Sequence, residues 1–170
     1  MRSSAVISKD EYEALLARAI ELGSWRTYLA LRCLGSLGLK PKDVVHLTVE
    51  QVVAGEVLVT YSERSTNRIE IPEIMQSEIL RYCESQGIDK GFVFRTSEGS
   101  MFLFQAMNNS IVRLAASVGI PSNKCRCGAV YAYFEQWRKE AERRSFLDHM
   151  ALEQERFSWP GPEGDEVGGL

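Results

Sequence analysis

The stretch Leu37-Gly38-Leu39-Lys40-Pro41-Lys42-Asp43-Val44-Val45-His46-Leu47 divides a helical part of the chain from a β-rich part. Before it, the apolar residues of 24–37 recur at helical spacing and predict a helix that ends at Gly38, because Pro41 prevents its continuation. After it, residues 42–47 predict one short turn of helix. The stretch is therefore predicted to be a tight connection just ahead of a change in secondary structure.

The segments on either side have clear local signals. Ser8 and Glu11 form the pattern of a capping box, and the apolar spacing behind it predicts a helix to about Gly23. On the other side, three segments rich in β-branched residues, at 49–53, 57–61 and 68–71, predict a small antiparallel sheet of two or three strands.

The rest of the chain has mostly helical periodicity. Helices are predicted over 74–82, 104–118, 124–144 and 146–157, and residues 92–94 are predicted to be extended. The predicted fold class is mainly α with a small antiparallel β-sheet (α+β). The domain prediction is one unit over 1–159 and a flexible acidic tail over 160–170.

Composition narrows the class of protein. The chain has 170 residues, of which 45% are hydrophobic, and this is enough to bury the core of one globular domain. No apolar run is long enough for a membrane helix, and the N-terminus lacks a signal-peptide pattern, so we predict a cytoplasmic protein without a membrane partner. Cys33, Cys83, Cys125 and Cys127 are predicted to be buried apolar residues, and no metal site is predicted.

The charge is unevenly distributed along a chain with a net charge of −3. Arg156 alone opposes a group of carboxylates in the last 26 residues, namely Asp148, Glu153, Glu155, Glu163, Asp165 and Glu166. The preceding residues are consequently slightly basic, which permits a DNA partner.

The order of these segments resembles the catalytic domain of tyrosine recombinases, the phage integrase family. The family motif Thr-Gly-Leu-Arg-x-x-Glu-Leu-x-x-Leu is similar to residues 37–47, and it precedes a small sheet there as here. The phrase Val-Phe-x-Thr-x-x-Gly is matched by residues 93–99, and the resemblance extends to Trp159. It implies a recombinase-like fold, a double-stranded DNA partner and the setting of a mobile element.

The resemblance also implies a chemistry and its residues. In the family a tyrosine attacks a DNA phosphate, two arginines stabilise the charge on the phosphate, a hairpin lysine protonates the leaving oxygen and two histidine-type residues move protons, with no cofactor. The first arginine corresponds to Lys40 and the histidine of His-x-x-Arg to Asn123, and the hairpin lysine corresponds to Ser65 or a close neighbour within 62–67. The second arginine is retained as Arg126.

The C-terminal positions depart from the family at the nucleophile. The pattern Leu-Gly-His followed by a short helix and Tyr corresponds to Leu147-Asp148-His149 and then Ser158. A serine hydroxyl is shorter than a phenol and lacks its accessible pKa. No residue is therefore predicted to be catalytic, and the predicted ligands of DNA phosphate are Lys40, Lys124, Arg126 and His149.

Three hypotheses follow from these residues. The first is a degenerate integrase domain that binds DNA, or assists a related active recombinase, without cleaving DNA. The second is an active recombinase with a remodelled site. The third is a protein-interaction module that kept the same fold and lost DNA binding. Separately, the resemblance implies that the C-terminal segment over 157–170 packs on a second copy of the chain or on a related recombinase.

Overall fold

The computed structural model describes residues 6–62 and 65–142, which form seven α-helices, one π-helical turn and one β-hairpin. The elements follow one another in the order α1 (Lys9–Leu22), α2 (Trp25–Arg32), the π-helical turn (Cys33–Leu37), α3 (Pro41–Val45), α4 (Val49–Ala54), β1 (Glu56–Ser62), β2 (Ser65–Glu70), α5 (Glu73–Ser85), α6 (Phe104–Ala116) and α7 (Cys127–Glu142). This architecture, mainly helical with a small antiparallel sheet, confirms the predicted fold class.

The hairpin forms the one sheet among the described residues, and its two strands pair antiparallel with Glu56 opposite Glu70. The prediction of a strand over 49–53 is wrong, because this segment is α4. The Thr48 hydroxyl oxygen accepts a hydrogen bond from the amide of Gln51, and the side-chain oxygen of Gln51 accepts one from the amide of Thr48, so the two residues form a capping box. Gly55 then ends the helix in a left-handed conformation, so both ends of α4 are capped despite its β-branched residues.

The core lies among the helices and under one face of the hairpin. Extended residues 92–94 anchor to it as predicted, with the Val93 amide donating to the Leu47 carbonyl at 3.0 Å. All four cysteines are free and buried, and burial raises the pKa of the Cys33 thiol to about 12. No helix among the described residues is long and apolar enough to cross a membrane.

A buried ion pair joins α2 to α5. Arg32 Nη2 lies 3.3 Å from Glu78 Oε1, and both side chains are almost fully buried. Tyr28 donates a hydrogen bond of 3.1 Å to the other carboxylate oxygen of Glu78. Desolvation raises the pKa of Glu78 in spite of Arg32. The pair therefore links the two helices at a cost in desolvation.

Candidate functional site

The turn that carries Lys40 is held in place by its neighbours on both sides. The π-helical turn ends at Gly38, which has a left-handed φ of 85° and lies against the ring of Phe134 on α7. Lys40 then forms the N-cap of α3, with Pro41 at the first helical position. Since π-helical segments occur frequently at functional sites, this turn is a candidate part of one.

A cleft of about 600 Å³ opens beside this turn. Its walls come from the turn, from strand β2 and from one face of α7. The lining residues are Leu37, Gly38, Lys40, Asn67, Arg68, Ile69, Tyr131, Phe134, Glu135 and Arg138. The resemblance associates three elements with DNA cleavage, namely the turn, the hairpin and the helix that follows Arg126. The structure brings these three elements together at the cleft.

The cleft is lined by more cationic than anionic groups. Arg138 lies 3.2 Å from Glu135 Oε2 and 5.5 Å from the Phe134 ring centroid. Tyr131 donates a hydrogen bond of 3.1 Å to the same Glu135 oxygen. Arg68 pairs with Glu56 at 3.4 Å, and both of these side chains are exposed. Such exposed pairs are weak and exchange readily with solvent, so the arginines stay accessible to an anion.

Arg126 and Asn123 lie just before α7, and both are exposed. Within the described part of the chain, the Arg126 guanidinium makes no hydrogen bond or ion pair, and its carbonyl accepts the Val130 amide at 3.1 Å. Arg126 precedes Tyr131 by five residues, roughly 7–8 Å along a helix axis. The guanidinium is thus available to a ligand, although Arg126 is not one of the residues that line the cleft.

Lys124 is engaged by a distant residue of the chain. Its Nζ lies 2.9 Å from Glu11 Oε2, across 113 positions of sequence. The hydrogen bond from the Ser8 amide, followed by that from Lys124, holds the pKa of Glu11 below its ordinary value of 4.5. Lys124 therefore ties the start of α1 to the segment ahead of α7.

This ion pair predicts an acid-sensitive contribution to stability. The pKa of Glu11 is lower in the folded chain than in the unfolded one, so its contribution is present above pH 4.5 and is lost as the pH falls further. We expect Glu11→Gln to lower the free energy of unfolding at neutral pH and to flatten its decline in acid. Urea unfolding across a pH series measures both effects, and equal slopes for the two proteins would contradict this prediction.

The remaining predicted positions are described in part or not at all. Ser65 is the first residue of β2, and its backbone pairs with Ser62 across an irregularity of the hairpin. His149, Ser158 and the predicted tail over 160–170 lie outside the described residues. The same holds for the predicted helix over 146–157.

Sequence reasoning missed part of the cleft. From the sequence alone, Tyr131 and Phe134 are expected to belong to the core, and Arg138 is expected to pair along its own helix. The ion pair of Arg138 with Glu135 confirms the second expectation. In the structure both aromatic residues are half-buried and line the cleft together with Arg138. A signal was present, since positions 131, 134, 135 and 138 follow the i, i+3, i+4, i+7 spacing of one helix face.

Comparisons with known proteins give a structural match only. No protein-family model and no curated protein sequence matches the chain. Among solved structures, the crystal structure of XerA recombinase matches with a TM-score of 0.66 at 15% sequence identity. The match covers 85% of this chain and 52% of that one, so the chain spans about half of the XerA recombinase structure. The chain therefore has the fold of a tyrosine recombinase domain.

Proposed function

We propose that this chain is a recombinase-like DNA-binding domain of a mobile element, acting in the cytoplasm, that holds DNA without cleaving it. The observation that carries the proposal is the cleft in which the Lys40 turn, strand β2 and α7 meet, within a fold shared with XerA recombinase. Fold similarity by itself does not imply function, so the argument depends on the residues of this cleft.

The charge of the cleft supports DNA binding. Lys40, Arg68 and Arg138 line it, and Glu135 is the one acidic residue among the lining residues. Arg126, with its guanidinium unengaged by described residues, adds a further cation at the start of α7. Lysine and arginine groups arranged in this way bind phosphate oxygens through charge-assisted hydrogen bonds.

The chemistry of the same positions opposes strand cleavage. Lys40 keeps a positive charge but lacks the planar fork with which arginine binds two phosphate oxygens at once. Asn123 cannot transfer protons as a histidine does, and residues 62–67 contain no lysine to protonate a leaving oxygen. Ser158 stands where the resemblance implies a tyrosine nucleophile. The groups that attack and protonate are replaced, whereas groups that attract phosphate are retained.

Binding of duplex DNA by phosphate contacts is testable through salt. We expect a complex in a gel-shift series at low ionic strength, with affinity falling steeply as salt rises because condensed counterions are released on binding. Absence of any complex at low salt would overturn the proposal. A stable protein complex that persists at high salt would favour the interaction-module hypothesis in its place.

Replacing Arg126 with alanine should weaken duplex binding about tenfold, since a hydrogen bond to a charged group is lost. Arg81→Ala is the matched control, because Arg81 is an exposed arginine on α5, which packs on α2 and α4. We expect the control to bind as the parent protein does. Equal losses in both variants would show that net charge, and not this site, determines binding.

Cleavage is tested on the same preparation with a nicked duplex, which traps a covalent protein–DNA adduct in an active recombinase. We expect no adduct. An adduct that disappears in Ser158→Ala would show that the serine is a nucleophile and would establish the remodelled-site hypothesis.

A further inference from the structure

A second region of the surface has the features of a ligand site. A depression of about 490 Å³ lies between the α1–α2 connection, α5 and α6. A neighbouring depression of about 460 Å³ shares Arg26, Tyr82 and Gln86 with it. One helical segment runs from Trp25, beside the depression, to Leu37, beside the cleft. Its length places the depression roughly 15–20 Å from the cleft.

The N-terminus of α2 forms one wall of the first depression. Its N-cap residue, Ser24, makes no side-chain hydrogen bond to the helix. The Tyr28 amide is the first to bond within the helix, donating to the Ser24 carbonyl at 2.9 Å. The amides of residues 25–27 therefore have no acceptor among the described residues, and they carry the partial positive charge of a helix N-terminus.

Tyr82 supplies an independent indication of a ligand. Its side chain is only 8% exposed and lines both depressions. Its hydroxyl group forms no hydrogen bond with a described residue and is not itself buried, so it is accessible from the depressions that the side chain lines. Burial raises the pKa of Tyr82, so the hydroxyl keeps its proton and is a hydrogen-bond donor.

The side chains around the amides of residues 25–27 and the Tyr82 hydroxyl are cationic or carry hydroxyl groups. Arg26 and Arg113 line the first depression, and its lining contains no carboxylate. Arg26 is held in position by a hydrogen bond of 3.1 Å to the Arg95 carbonyl and by the Phe102 ring, 4.0 Å from its guanidinium carbon. Arg113 is exposed and makes no ion pair with a described residue. Thr27 and Ser110 add hydroxyl groups to the same wall.

We propose that this depression binds a phosphate group, with the amides of residues 25–27, the Tyr82 hydroxyl and the guanidinium groups of Arg26 and Arg113 as donors. Free amides at a helix N-terminus and arginine are the groups that bind phosphate oxygens in proteins. The phosphate belongs either to a small phosphoester or to a nucleic-acid backbone. The site is separate from the cleft and does not depend on the proposed function.

The test uses the full chain and inorganic phosphate as the probe. Phosphate is titrated at constant ionic strength against chloride, and the backbone amide resonances of residues 25–27 are followed by NMR. We expect a saturable shift with phosphate and none with chloride. Tyr82→Phe should weaken phosphate binding about tenfold, the loss of one hydrogen bond to a charged group, and Arg113→Gln should do the same.

Three controls make the result decisive. Tyr82→Phe removes a hydroxyl with no described partner, so its melting temperature should equal that of the parent. Lys42→Ala, at an exposed lysine of α3 outside the lining of the depression, should bind phosphate normally. In the duplex gel shift, weakening by Tyr82→Phe identifies a nucleic-acid backbone as the source, and unchanged binding identifies a small phosphoester. No saturable shift, or shifts that neither variant reduces, would overturn the proposal.

Discussion

Glu78→Ala is expected to destabilise the fold by about 3–5 kcal/mol, because it leaves the Arg32 guanidinium buried without its counter-charge. Both side chains are nearly inaccessible to water, and their closest atoms are 3.3 Å apart. The loss would be a large share of the roughly 5–15 kcal/mol that stabilises an ordinary domain. Urea unfolding followed by circular dichroism measures it.

Two further variants separate the ion pair from simple loss of packing. Glu78→Gln keeps the shape of the side chain and the acceptor for the Tyr28 hydroxyl but removes the charge. It should therefore lose nearly as much stability as Glu78→Ala. The double variant Arg32→Met with Glu78→Leu removes both charges and should recover much of the stability. Solvent-exposed ion pairs contribute less than about 1 kcal/mol to stability. If Glu78→Ala lowers the free energy of unfolding by no more than that, the ion pair is not desolvated as described.

Gly38→Ala is expected to lower stability by about 2–4 kcal/mol, through a left-handed backbone and overpacking together. Gly38 has a φ of 85°, and a Cβ atom there would lie 2.5 Å from Phe134 Cζ and 2.9 Å from Cδ2. The ring lines the cleft, so its displacement should also weaken duplex binding. Unfolding and gel-shift measurements on the same variant test both effects.

Gly23→Ala is the matched control for this substitution. Gly23 also has a left-handed φ, of 70°, but a Cβ atom there would meet nothing within 4 Å. It should show the backbone cost alone, about 1 kcal/mol, with unchanged duplex binding. If Gly38→Ala is no worse than Gly23→Ala, the contact between the turn and Phe134 is not tight.

The sequence predicts structure best where the deciding interactions join residues close together in the chain. The start of α1 was predicted because the Ser8–Glu11 capping box is complete within four residues. The strand predicted over 49–53 is wrong because the capping residues Thr48 and Gln51 at the start of α4, and Gly55 at its end, outweigh the strand preference of the β-branched residues. Local propensity is a weak signal, and capping together with burial on the core decided this segment.

The residues of the candidate sites also differ in whether local sequence patterns identify them. Lys40 and Arg126 could be identified from motif spacing, whereas the contact of Lys124 with Glu11 spans most of the chain. The depression beside Tyr82 had no sequence signal, because its donors come from α2, α5 and α6.

By itself, the sequence determined most of the described helices, the hairpin and the recombinase-like order of elements, and it places Ser158 where the resemblance implies a tyrosine nucleophile. These properties depend on residue identity and on spacing over a few positions. Only the tertiary structure decided which charges are paired, that Glu78 is buried against Arg32, and that the Lys40 turn faces strand β2 and α7 across one cleft. Such contacts join residues far apart in the chain, and packing of the helices on a common core brings them together.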